Sequence, residues 1–105
     1  NGVKQGRVIH YYPNGTKQVE TFYTDDKFDG VRSTWYENGK PMEVAPYSKG
    51  LLHGTGRTYY EAGGVFEEVK FKYGTPKYMI MYNEDGSIAE QKGWIDNKII
   101  KRIVG

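Results

Sequence analysis

Between Val8 and Tyr23 two runs rich in Val, Ile, Thr, Phe and Tyr flank a short break at Pro13-Asn14-Gly15, and the same figure returns three more times along the chain. Runs of β-branched and aromatic residues mark strands, and a glycine-centred break between two of them marks a hairpin. Each figure therefore predicts strand, tight turn, strand and a looser turn. The breaks Tyr11-Tyr12-Pro13-Asn14-Gly15, Trp35-Tyr36-Glu37-Asn38-Gly39, Tyr59-Tyr60-Glu61-Ala62-Gly63 and Tyr82-Asn83-Glu84-Asp85-Gly86 align on their last glycine, at intervals of 24, 24 and 23 residues. Eight residues after each glycine stands an aromatic, Tyr23, Tyr47, Phe71 or Trp94, and three residues later a turn former, Asp26, Gly50, Gly74 or Asn97. Gly6, Gly30 and Gly54 open the first three units, and Tyr78 stands where the fourth should open.

Turn chemistry sets the expected register. A two-residue type I′ loop would force Ala62 into positive φ, which a side chain resists. A type I turn followed by a left-handed glycine fits all four breaks, with Pro13, Glu37, Glu61 and Glu84 at its second position. Tyr12 then faces Thr16 and Tyr11 faces Lys17. Carried along both strands, that register puts Ile9, Tyr11, Val19, Thr21 and Tyr23 on one face and Val8, His10, Tyr12, Gln18, Glu20 and Phe22 on the other. Tyr11, Trp35, Tyr59 and Tyr82 are expected to share the first face with Tyr23, Tyr47, Phe71 and Trp94. Pro46 lacks an N–H and is expected at a bulge or where a strand turns outward.

The fold class expected is all-β, an antiparallel meander of about four tandem hairpin repeats in an elongated, twisted or curled sheet. Residues 1–105 form a single repeat domain, with units at 6–29, 30–53, 54–77 and 78–101 and residues 1–5 as the tail of a preceding unit. Aliphatic residues are too few to cover two faces. The sheet is expected to curl over its aromatic face or to use Ile99, Ile100, Ile103 and Val104 as cover.

Composition narrows the function. Fourteen Gly and ten Tyr in 105 residues suit a pleated surface and exclude helical bundles and doubly wound folds. Fifteen basic against thirteen acidic residues leave a net charge of +2, too slight to imply nucleic acid as a partner. Without cysteine there is no disulfide framework and no thiolate chemistry. No apolar run reaches the ~18 residues of a membrane span.

Candidate chemistry is sparse. His10 and His53 have no carboxylate at metal or triad spacing, and no cofactor is implied. Glu67-Glu68 and Asp25-Asp26 lack the geometry of paired catalytic acids. Lys70, Lys72 and Lys77 interleave with Phe71 and Tyr73, a small cluster that the near-neutral total charge leaves without nucleic-acid meaning. Two sets remain as binding candidates. Glu43, Glu67 and Glu90 recur four residues after their turn glycines, on the aromatic face, and either line a groove for a basic peptide or sugar hydroxyls or pair with neighbouring lysines. Tyr12, Tyr36 and Tyr60 form a second aromatic column on the opposite face, either an exposed recognition row or a support for the sheet.

Units of the form G-x4-YY-x-NG-x7-aromatic-x2-G-x3-G resemble the variant class of MORN repeats, with Gly6 to Gly15, Gly30 to Gly39 and Gly54 to Gly63 as the matching stretches. The resemblance covers roughly residues 1–98 and implies a β-repeat fold. This class is found in bacterial antitoxin components of toxin–antitoxin pairs as well as in proteins of several other roles, so the resemblance also implies a non-catalytic antitoxin or immunity-like protein acting on a protein partner. No catalytic residues come with the motif. A carbohydrate or cell-wall module, or a scaffold of an envelope-associated protein, is the alternative. Against the wall module, Gly6, Gly30 and Gly54 are followed by Arg7, Val31 and Thr55 and not by tryptophan. Cytoplasmic placement follows from the antitoxin role, and periplasmic or surface placement from a removed leader.

Overall fold

The structure is a computed structural model and describes residues 4–95 and 98–102. Residues 1–3, the turn residue Asn97, Ile103, Val104 and the side chain of Trp94 lie outside the described residues. The strands are β1 (Gly6–Tyr11), β2 (Lys17–Thr24), β3 (Lys27–Phe28), β4 (Gly30–Trp35), β5 (Pro41–Ser48), β6 (Leu51–Leu52), β7 (Gly54–Tyr59), β8 (Val65–Lys72), β9 (Thr75–Tyr82), β10 (Ile88–Ile95) and β11 (Lys98–Arg102). They form one antiparallel sheet in chain order, β1-β2-β4-β5-β7-β8-β9-β10-β11, with β3 pairing β2 and β6 pairing β5. The all-β meander of hairpin repeats is as the repeated turns predict.

The sheet is a single open layer. Its Cα atoms span 52 × 35 × 11 Å, so it does not curl over either face. The described part of the terminal segment, β11, pairs edge to edge with β10 from Ile95↔Lys98 to Gln91↔Arg102 and so extends the layer sideways. Among the described side chains only Ala45, Met79, Thr21 and Thr34 are buried. A layer this thin has no interior to fill. Cohesion comes from cross-strand pairs on two half-wet faces and from bonds that tie each unit to the next.

Those ties run through the tight turns. Gly15 N–H donates to the Tyr12 carbonyl at 2.9 Å and Tyr12 N–H to the Thr16 carbonyl at 2.8 Å, with Gly15 at φ 91°, which is the type I turn plus left-handed glycine expected. Asn14 accepts from Thr16 N–H at 2.9 Å and donates to the Glu37 carbonyl of the next turn at 3.0 Å. Asn38 repeats both bonds, to Lys40 N–H and the Glu61 carbonyl. Ala62 can do neither. Its carbonyl accepts from Lys40 Nζ at 2.8 Å, a second tie between the second and third turns. In the fourth turn Asp85 accepts from the Ser87 hydroxyl at 2.6 Å and the Ser87 N–H at 2.8 Å, which hold its carboxyl below the ordinary range. A depressed carboxylate stabilises the fold above its unfolded pKa and loses that contribution as pH falls through the folded value. Ser87→Ala is expected to raise the Asp85 titration midpoint, read by NMR, and an unchanged midpoint would discount the hydroxyl.

The turns at the other end are not looser. Asp25 and Asp26 (φ 51° and 68°), Lys49 and Gly50 (52° and 86°) and Tyr73 and Gly74 (48° and 85°) are two-residue loops with both positions left-handed, the type I′ geometry. They are closed by the pairs Thr24↔Lys27, Ser48↔Leu51 and Lys72↔Thr75. Each is also capped from the preceding unit. Gln5 Oε1 accepts from Asp25 N–H and Asp29 Oδ1 from Lys49 N–H, both at 3.4 Å, and His53 Nδ1 accepts from Tyr73 N–H at 3.2 Å. The His53 ring also stacks on Tyr73 at 4.4 Å between centroids.

The predicted faces need correction. Tyr11 does pair with Lys17, but the next pair is His10↔Val19, leaving Gln18 as an extra residue. The same bulge recurs at Met42, Phe66 and Ala89. One inserted residue reverses the relation of the two strands beyond it. Val19, Thr21 and Tyr23 therefore share a face with Val8 and His10, while Ile9 and Tyr11 share the other with Glu20 and Phe22. The column Tyr11, Trp35, Tyr59 and Tyr82 lies on the back of the sheet, and Tyr23, Tyr47 and Phe71 lie on the front.

The kinks that open the units explain the short third interval. β5 pairs with β6 at Tyr47↔Leu52 and with β7 at Val44↔Arg57, so the ladder skips the stretch around His53 and Gly54. Gly54 has φ 114°, and Pro46 stands opposite the gap, accepting from His53 N–H, as its missing donor requires. In the fourth unit Phe71↔Pro76 is followed by Lys70↔Tyr78, with only Lys77 between. Lys77 stands five residues before Tyr82, as Gly54 stands five before Tyr59. The position answering to Gly54 is thus Lys77, not Tyr78. The residue answering to His53 is missing, and without the full kink no positive φ is needed.

Candidate functional site

The bulges have a functional consequence, because they bring together side chains expected on opposite faces. Counted across the strands, the front face carries the row His10, Val19, Thr34, Glu43, Thr58, Glu67, Met81 and Glu90. Beside it runs Val8, Thr21, Arg32, Ala45, Gly56, Val69, Met79 and Lys92. Tyr12 and Tyr36 continue the alternation of His10 and Thr34 past the strand ends, so the tyrosine column also belongs to the front. A shallow groove is bounded by Arg32, Tyr36, Met42, Glu43, Phe66 and Glu67. Tyr36, Glu43 and Glu67 therefore line one feature.

The tyrosines there are half-buried and bonded. The hydroxyls of Tyr12, Tyr36 and Tyr60 donate to the carbonyls of Trp35, Tyr59 and Tyr82, each at 2.7 Å. Each ring thus reaches from its own unit onto the next strand pair. Tyr60 also meets Phe66 edge-on at 5.2 Å. Asn83 stands at this place in the fourth unit and turns its amide to Ser87.

The acids differ in their partners. Glu43 is bound by Arg32 at 3.3 Å and Glu90 by Lys92 at 3.8 Å. Glu67, half-buried between Thr58 and Met81, makes no hydrogen bond or ion pair among the described residues. The hydroxyls of Thr34 and Thr58, on either side of Glu43 in the row, are buried without a partner. On the back the acids are satisfied. Glu20 takes Arg7 and Lys17, and Glu68 takes Arg57 at 3.0 Å and the Tyr78 hydroxyl at 3.3 Å. No group of three or more metal-ligating side chains occurs among the described residues. Among the described residues no helix is long and apolar enough to cross a membrane.

Alternation alone could not reveal a second opening, over Gly56. It has a volume of about 140 Å³ and lies between Tyr47, Leu52 and Phe71 on one side and Glu43 and Glu67 on the other. Gly56 leaves it open because Val8, Arg32 and Met79 carry side chains at the corresponding places of the other units. A glycine within a strand was the signal available for it.

The repeat geometry agrees with the family comparison, in which the MORN repeat variant matches residues 4–25, 28–49 and 52–73. The chain belongs to the MORN repeat variant family. Its matched units end at the type I′ turns, and the fourth hairpin extends the same sheet beyond them. No curated protein matches the chain. Among solved structures it is similar to the crystal structure of TarM, at 16% identity over 93% of this chain and 20% of that one, with a TM-score of 0.53. A mutant of S. aureus TarM in complex with Fondaparinux, alpha-GlcNAc-glycerol and UDP matches at 15% identity over 91% and 19% of the two chains, TM-score 0.54. The accessory secretory protein 1, 2 and 3 structure from Streptococcus pneumoniae matches at 14% identity over 89% and 18%, TM-score 0.50. These likenesses concern the fold. The MORN repeat chain spans about a fifth of the length of those chains.

Proposed function

We propose that this chain is a non-catalytic binding module that docks a protein partner on its front face. The observation that carries this reading is the asymmetry between the faces. The back closes its acids with its own cations, whereas the front groups Tyr36, Glu43 and Glu67 around a groove in which the half-buried Glu67 carboxylate is unpaired. A carboxylate held on a regular ladder and short of a partner suits recognition at low ordering cost. In its narrower form the partner would be a toxin silenced by occupation. Co-expression with the product of a neighbouring toxin-like gene tests that form, and failure to form a complex or restore growth would sink it.

Carbohydrate is the second reading, suggested by the saccharide ligands named in the TarM complex. Panning a displayed random-peptide library beside a glycan array separates the two. Enrichment of peptides whose binding falls with Glu43→Lys but survives Glu20→Gln, on the back, supports protein docking. Glycan binding without peptide enrichment would replace it with the second reading.

A further inference from the structure

In the second unit Arg32 answers Glu43 at 3.3 Å. The 24-residue period carries those two positions to Gly56 and Glu67. The acid is kept and its cation is replaced by glycine. Neighbouring cations do not fill the gap. Arg57 pairs across the back with Glu68 at 3.0 Å, and Lys92 stands with Glu90 at 3.8 Å. The opening over Gly56 is therefore the space that an arginine occupies one unit earlier, with aromatic walls from Tyr47 and Phe71. Its volume of about 140 Å³ is close to the ~150 Å³ of cavities that take up a benzene-sized group.

We infer that this opening receives an arginine side chain of the partner, whose guanidinium takes on Glu67 the place that Arg32 takes on Glu43. This rests on the protein-docking reading above. A half-buried carboxylate without a counter-charge calls for a cation more than for a neutral hydroxyl. A planar guanidinium can bond Glu67 through two parallel N–H groups while lying flat against an aromatic ring, which a compact ammonium cannot do at once, and this favours arginine over lysine.

The probe is Nα-acetyl-arginine amide, titrated into the whole chain and followed by amide chemical shifts. Saturable shifts are expected at Gly56, Glu67 and Phe71, with binding about tenfold weaker for the neutral citrulline analogue and in Glu67→Gln. Gly56→Arg is expected to abolish binding by supplying the cation internally. The strand tolerates it, since the added Cβ meets nothing nearer than the Val44 carbonyl oxygen at 3.4 Å and Gly56 has no positive φ. Glu20→Gln, on the back, is expected to leave binding unchanged, and retained amide dispersion certifies that each variant is folded. Equal affinity for citrulline, full binding by Glu67→Gln, or equal affinity for Nα-acetyl-lysine amide would overturn the assignment. So would self-association that Glu67→Gln removes, because the occupant would then be a second copy. Panned peptides that bind the front without arginine would leave the docking reading standing and remove this one.

Discussion

Tyr36→Ser is expected to destabilise the chain by about 2–4 kcal/mol, with a fall in Tm of at least ~10 °C. Two losses combine. The hydroxyl bond to the Tyr59 carbonyl at 2.7 Å goes, at roughly 0.5–1.5 kcal/mol. The rest is the ring, which lies half-buried over the junction between the second and third units. Tyr36→Phe separates the terms and is expected to cost only about 1 kcal/mol. Because the sheet has no second layer, the lost area has no neighbouring core to relax into it. Urea unfolding of the two variants checks the difference, and a cost below ~1 kcal/mol for the serine would show that the tyrosine ladder does not hold the units together.

Gly54→Val is the second large effect, at about 2–4 kcal/mol. The backbone there stands at φ 114°, where a branched side chain is strained, and an added Cβ would lie 3.2 Å from Pro46 Cγ. Pro46 is held by its own ring and cannot swing away. The fourth unit supplies a control. Deleting His53 together with Gly54→Lys copies the Pro76-Lys77 junction, which needs no left-handed residue, and is expected to cost less than Gly54→Val alone. If the deletion costs more, the kink at His53 has a role that the fourth unit does without.

These two positions show what was legible in the chain. The period, the hairpins and the type I turns with their glycines follow from residue types whose conformational needs are narrow, such as Gly15 and Pro13. The faces did not follow, because the extra residues Gln18, Met42, Phe66 and Ala89 share no chemistry. None of them has a positive φ, so any side chain serves and no column betrays the bulge. A slip of one residue then moves whole aromatic columns to the other side. The type I′ loops were half-legible, since Asp25-Asp26 and Gly50 suit them, but Lys49 and Tyr73 accept left-handed geometry that their types do not advertise. Of the candidate site, the recurring acids were visible at once. Their meeting with Tyr36, and the difference between paired Glu43 and unpaired Glu67, required the pairing register.

The 11 Å depth of the Cα layer has a thermal consequence. Heat capacity rises on unfolding in proportion to the apolar area newly exposed, and this sheet leaves much of that area wet while folded: Tyr11, Val31 and Tyr73 are 56%, 47% and 62% exposed. Calorimetry is expected to give a value below the usual ~12–15 cal/mol/K per residue. The stability curve of such a sheet is broad and shallow, so its folded population changes slowly with temperature and cold weakens it little. A value in the usual range would mean that the chain in solution covers one of its faces.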